Sequence, residues 1–181
     1  MATTNNIQKA LALALKAHEE QLDKAGIPYV LHPINVMSRL DNSENHPHVC
    51  LNSIWMEKAR IVALWHDIAE DTSYSIEEIL NEAKLNLPHK DIRDIKISLQ
   101  LMNHDKNESY STYINKMIQL AKYCDGIPLY VKKADIEHNT LPERIDFMEE
   151  STKKRLLDKY ENTKGMIIKA IEEFETTFPQ K

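Results

Sequence analysis

Apolar residues recur at three- and four-residue intervals along nearly the whole chain, the period of a helix with one buried face. Ile7, Leu11, Leu15, His18 and Leu22 share such a face behind a Thr4/Asn5 cap. Asp23-Lys24-Ala25-Gly26-Ile27-Pro28 breaks this helix, and Pro33 suits the first turn of a second, with His32 at or near its N-cap. Residues 41–47 read as a polar loop. The pattern predicts a third helix from about Met56 to Glu70, and Ser75-Ile76-Glu77-Glu78 reads as a capping box opening a fourth. Pro88 separates that helix from another over Asp91 to Met102. A polar loop, Asn103 to Ser109, leads to a helix over Tyr110 to Tyr123. Asp125-Gly126-Ile127-Pro128 is a stop-and-restart signal before Leu129 to Asn139. Pro142 interrupts, and Arg144 to Phe174 supplies one or two closing helices. No internal repeat, low-complexity tract or linker divides the chain, so residues 1–181 are expected to form one compact all-α domain.

Composition supports that expectation. At 181 residues the chain can bury a sizeable single core, and its 3 glycines argue against a sandwich or a dinucleotide-type sheet. The formal net charge of -5 implies no basic face for nucleic acid. It leaves room for an anionic substrate, because a local cluster or a bound metal reverses the field within a site. Cys50 and Cys124 have no metal-type spacing and read as reduced thiols of a cytoplasmic protein. The apolar start Ala10 to Leu15 lacks a basic flank and runs straight into Lys16, His18, Glu19 and Glu20, which is unlike a signal peptide. No segment approaches the roughly 20 apolar residues that span a membrane, so no membrane partner is expected. A homo-oligomer stays open.

One stretch does not fit a packing role. The apolar run Ala59 to Trp65 ends in His66-Asp67-Ile68-Ala69-Glu70-Asp71-Thr72. Ionised groups cost several kcal/mol in a core unless they are compensated. A bound cation turns these carboxylates and the imidazole into ligands and their neighbours. On a helix His66 and Glu70 stand at i, i+4, as do Asp67 and Asp71, so the four share one arc. The bland alternative is a solvated helix C-terminus, weakened because acidic groups there oppose the macrodipole. His32 and Asp135 are unremarkable when each is taken alone.

Taken together, the order His…His-Asp…Asp followed by Glu-Asp-Thr resembles the HD-domain metal-dependent phosphohydrolases, and among them the alarmone hydrolases. Four motifs carry the resemblance over about residues 7 to 145. They are His18-Glu19-Glu20-Gln21; Lys24-Ala25-Gly26-Ile27-Pro28-Tyr29-Val30-Leu31-His32-Pro33; His66 through Thr72; and Val131-Lys132-Lys133-Ala134-Asp135-Ile136-Glu137-His138-Asn139. The resemblance implies an HD-domain helical bundle with His32, His66, Asp67 and Asp135 as ligands of one divalent ion, usually manganese. The donor set alone does not choose manganese over iron, cobalt or zinc. It also implies Glu70 and Asp71 as the groups that handle the attacking water and the leaving oxygen. Lys24, Lys106 and Lys132 are candidate phosphate contacts, Asn139 a sugar contact, and Tyr160 and Arg155 candidate closers of the pocket.

Two departures bear on the nucleotide. Asp23 stands where the family usually has Arg, and Leu141 stands where an Arg commonly follows the Asn. The usual Gly-Val-Thr-Lys-like segment has only Met102-Asn103-His104-Asp105-Lys106 as its counterpart. The expected reaction is hydrolysis of a nucleotide 3′-diphosphate, such as ppGpp or ppApp, to nucleotide and pyrophosphate. With no room for a synthetase half, the chain is expected only to degrade. An HD phosphohydrolase of 5′-nucleotides or nucleoside triphosphates is the alternative. A nucleotide-binding module without catalysis is a third, and it would predict an eroded ligand set, whereas the set is complete.

Overall fold

The structure is a computed structural model that describes residues 5–23, 26–40, 53–146 and 148–177. Thr4, Lys24, Cys50 and the 41–47 loop lie outside the described residues.

The helical periodicity becomes α1 (Asn6–Ala17), α2 (Leu31–Arg39), α3 (Ile54–Trp65), α4 (Ile68–Asp71), α5 (Ile76–Ala83), α6 (His89–Met102), α7 (Tyr110–Leu120), α8 (Ile127–Asn139), α9 (Pro142–Ile145) and α10 (Glu150–Thr177). A 3₁₀ turn at Ala121–Cys124 follows α7. Among the described residues there is no strand, only an isolated antiparallel bridge between Leu22 and Pro28. None of the described helices is long and apolar enough to cross a membrane.

Side-chain caps set several starts. The Asn5 carboxamide accepts from Ile7 N, so the cap is Asn5. Ser75 and Glu78 form the reciprocal capping box that opens α5. The third helix is shorter than the pattern predicts. It stops at Trp65, and a separate turn, α4, carries Glu70 and Asp71. His32 lies inside the first turn of α2, with Val30 at the N-cap. The closing segment is the short α9 and one long helix, α10.

Helix α3 is the central element, with nine of its residues buried, and Trp65 Nε1 donates to Ala10 O of α1 at 2.9 Å. Helix α8, with ten buried residues, is just as enclosed and packs against α2, α3 and α10. Its start needs Gly126, whose φ of +73° suits glycine and where a Cβ would stand 2.8 Å from Phe174 Cε1. Three charged or polar residues of α8, Lys132, Asp135 and His138, are buried with the apolar ones. They sit where α2, α3 and α8 meet.

A second buried charge group lies away from that junction. The ammonium of Lys58 on α3 lies 2.9 Å from Asp94 and 3.3 Å from Asp91 on α6, and 2.7 Å from Asp125 before α8. It ties three elements together and compensates carboxylates that burial would otherwise penalise. Cys124 is a buried free thiol, pushed up to about 11 by burial.

Candidate metal and nucleotide site

The break between α3 and α4 places the key pair. The fully buried Trp65 and Ile68 hold the chain on both sides of it. Between them Asp67 relaxes to φ −100° and ψ −8°, and its carbonyl accepts from Glu70 N and Asp71 N. His66 and Asp67 are therefore free of a continuous helical arc and turn toward one point. His32 reaches that point from α2 and Asp135 from α8. Nε2 of His32 lies 3.3 Å from both Asp67 Oδ2 and Asp135 Oδ1. Nε2 of His66 lies 3.0 Å from Asp67 Oδ2 and 3.8 Å from Asp135 Oδ1. Donor atoms of His32, His66 and Asp67 all fall within 4.8 Å of one another.

Hydrogen bonding behind the imidazoles tests whether a cation fits. Nδ1 of His66 faces the Ala63 carbonyl at 2.7 Å and must donate to it, which leaves Nε2 as the lone-pair nitrogen. That Nε2 is buried and makes no hydrogen bond, although two carboxylates face it. A lone pair set against carboxylates is repulsive unless positive charge stands between them. Two imidazoles and two carboxylates suit a divalent transition ion.

Titration points the same way. Burial disfavours the His66 imidazolium, yet Asp67 and Asp135 outweigh it and raise the ring to about 10. His32 is raised against burial by Asp135 and Asp67. Asp67 is held well below the usual carboxylate range, against burial, by His66 and His32. Asp135 is held low in the same way by Lys132, His32 and His66. In the absence of a metal, protons meet the demand for positive charge.

Glu70 and Asp71 flank this cluster. Burial, then the charge of Asp67, raises both carboxyls. Oε2 of Glu70 accepts from His104 N at 3.4 Å, and the Tyr29 hydroxyl lies 3.0 Å from Asp71 Oδ2. Both carboxylates, with Asp67 and Asp135, line an open cavity of about 360 Å³. Tyr110, Tyr113 and Tyr160 form its aromatic wall, and Lys132, Arg144 and Lys159 are its cationic side chains.

The remaining residues expected from the sequence divide. Asn139 lines the cavity, and its Nδ2 donates to Asp135 Oδ1 at 2.6 Å. Lys132 lines it too, with Nζ 2.8 Å from Asp135 Oδ2, so it supports that carboxylate. Tyr160 lines the cavity, whereas Arg155 is exposed and does not. Lys106 is exposed in the 103–109 loop, also away from the lining. Lys24 lies outside the described residues.

Three contributors had not been singled out. Lys159 lies 4.4 Å from the Tyr110 ring centroid and 5.1 Å from that of Tyr160. Arg144 lies 3.5 Å from Asp23 Oδ2, so the unexpected acid of the second motif has a partner beyond the missing arginine at Leu141. His138 backs His32, their Nδ1 atoms 2.7 Å apart. Burial, then His32 and Arg144, push His138 down to about 3 and keep it neutral. Of these aromatic and cationic side chains the sequence points only to Tyr160, and its pairing with Tyr110 across the chain carries no local signal.

Comparison with known proteins agrees with this picture. No family model matches the chain. It is 38% identical over 74 residues to a guanosine-3′,5′-bis(diphosphate) 3′-pyrophosphohydrolase of Aquifex aeolicus, covering 40% of this chain and 9% of that protein. It is 29% identical over 157 residues to a GTP pyrophosphokinase of Myxococcus xanthus, covering 83% of this chain and 18% of that protein. The chain thus spans less than a fifth of the length of these curated relatives. Among solved structures it matches a metazoan ortholog of SpoT, described as hydrolysing ppGpp, with a TM-score of 0.55. That match has 20% identity and covers 99% of this chain and 98% of the other. The fold is an all-α bundle shared with that solved structure, as the helical pattern predicts. In sequence and in fold the chain resembles the HD-domain alarmone hydrolases.

Proposed function

We propose that this chain is a metal-dependent hydrolase that cleaves the 3′-diphosphate of an alarmone nucleotide, releasing the nucleotide and pyrophosphate. The observation that carries the reading is the convergence of the His66 and His32 Nε2 atoms on Asp67 and Asp135, beside two carboxyls raised by burial. The names of the curated relatives and of the solved neighbour support the substrate class.

His32, His66, Asp67 and Asp135 would hold one divalent ion, for which Mn²⁺ is our choice. Such an ion supplies Lewis acidity to a phosphoryl oxygen and acidifies water. Glu70 and Asp71 line the same cavity, and burial and the charge of Asp67 raise both carboxyls, the direction that favours proton exchange with water and leaving group. One takes the proton of the attacking water, and the other returns a proton to the departing ribose 3′-oxygen. Lys159, held over tyrosine faces, is the cationic lining side chain best placed to meet phosphate charge, and Lys24 and Asn139 complete our set of substrate contacts. Lys106 has no support from its position. The nucleotide acts as a small-molecule substrate in the cytoplasm.

The cavity size is within the range of about 300–1,000 Å³ typical of small-molecule sites. Incubating Mn²⁺-loaded protein with guanosine and adenosine alarmones and ordinary nucleoside triphosphates, then resolving products by HPLC, tests the reading. Pyrophosphate from alarmones alone is expected. Cleavage of triphosphates or 5′-monophosphates instead would overturn the substrate and leave the site. The preferred base will report what Asp23 and its partner Arg144 have changed.

A further inference from the structure

We infer that His138 is a positioning residue for the metal site, acting through His32 by fixing which nitrogen of that ring carries a lone pair. The inference rests on the reading of His32 as a metal ligand. It starts from Arg144, whose Nη1 lies 3.2 Å from His138 Nδ1. A guanidinium can only donate, so His138 Nδ1 accepts and carries no proton. Nδ1 of His32 lies 2.7 Å from the same atom and must therefore be the donor. The remaining nitrogen of His32, Nε2, then holds the lone pair, 3.3 Å from both Asp67 Oδ2 and Asp135 Oδ1. A single guanidinium thus sets the tautomers of two rings. His32 and His138 are both buried, which limits competition from water for the shared atom.

The two imidazoles of the site are oriented differently. His66 leans on the backbone carbonyl of Ala63, an acceptor whatever the state of its neighbours. His32 leans on another imidazole, whose Nδ1 accepts only in the tautomer that Arg144 favours, its one lone pair shared between the two donors. Arg144 is held in turn by Asp23, with Nη2 3.5 Å from Oδ2, and Asp23 also accepts from Ile27 N at 3.0 Å. A continuous line of polar contacts runs from the wall of the nucleotide cavity to a metal-binding nitrogen. This gives Asp23 and Arg144 a role apart from contact with the nucleotide.

Calorimetric titration of the full chain with Mn²⁺ alone tests this, with circular dichroism verifying the fold of each variant. Losing an outer partner of a ligating histidine weakens metal binding by about 10–100-fold, and that loss is expected for His138→Leu. His138→Asn puts an amide oxygen near the place of Nδ1 and should recover most of it. Arg144→Met frees His138 to place its proton on Nδ1 and should weaken binding without touching either ring. His138→Leu or Arg144→Met binding Mn²⁺ as tightly as the parent would overturn the inference while leaving the metal site in place. Equal weakness of His138→Asn and His138→Leu would overturn it too. A parent that binds no Mn²⁺ would remove the metal reading and this inference together.

Discussion

The hydroxyl of Tyr29 lies 2.6 Å from Oδ2 of Asp67 and donates its proton to that carboxylate. Burial, then the charge of Asp67, raises the phenol, so it stays a neutral donor. The hairpin-like turn that bears it is fixed by two backbone bonds, Asp23 N to Ile27 O and Tyr29 N to Gln21 O, each 2.8 Å. A tyrosine of the second motif therefore orients the aspartate of the third. Tyr29→Phe should keep the fold and weaken Mn²⁺ binding by about tenfold, the lower end for loss of a supporting hydrogen bond to a ligand. Metal titration reads this directly, and unchanged affinity would show that the Tyr29 hydrogen bond to Asp67 does not support the metal.

Glu70 is separable from metal binding. It stands a turn beyond His66 on α4, and its carboxyl is raised by burial and by Asp67. Glu70→Gln keeps the shape and removes the titrating group. Metal content should match the parent while turnover falls by about a hundredfold or more, the scale for a positioned acid or base. Metal analysis beside a single-turnover assay measures both, and a parental rate would remove Glu70 from the chemistry.

Metal binding should release protons. His66 is raised to about 10, so its ring is protonated at neutral pH in the metal-free protein, and His32 is raised as well. An imidazole must lose that proton to ligate. Affinity should therefore climb as pH rises through neutrality. Without metal, the stability contributed by the protonated His66 is full below its unfolded value of about 6.5 and is lost as pH rises through about 10. Titration in buffers of different ionisation enthalpy should show net proton release on Mn²⁺ binding at neutral pH, whereas buffer-independent heats would contradict it.

The Lys58 cluster makes a prediction about stability alone. Lys58→Met strands Asp91, Asp94 and Asp125 without their ammonium. Removing one partner of a buried charge group costs about 3–5 kcal/mol. Denaturant unfolding should show a loss of that order, and a variant as stable as the parent would show that the carboxylates find other compensation.

The helical class and most helix starts were legible because caps and periodicity are local. Ser75 with Glu78 and the apolar repeats of α1 and α6 are examples. His32, His66, Asp67 and Asp135 were legible through their order, and the structure brings them together. The break after Trp65 was not, because the apolar period runs on through Ile68 and only the turn of Asp67 toward the junction interrupts it. Pairings across the chain were also hidden. Asp23 with Arg144 and Lys159 with Tyr110 depend on how α9 and α10 return over the site, and His32 with His138 on how α2 packs against α8. For Lys106 the loop sequence says nothing of direction; its side chain is exposed and is not among the cavity-lining residues.

The account stands most directly on turnover of a guanosine 3′-diphosphate alarmone by metal-stripped protein before and after Mn²⁺ is restored, with Asp67→Ala measured in parallel. Pyrophosphate release should vanish on stripping and return with Mn²⁺ in the parent, while Asp67→Ala neither binds the ion nor turns over. Full activity in the stripped parent, or in Asp67→Ala, would contradict a metal-dependent site at His32, His66, Asp67 and Asp135.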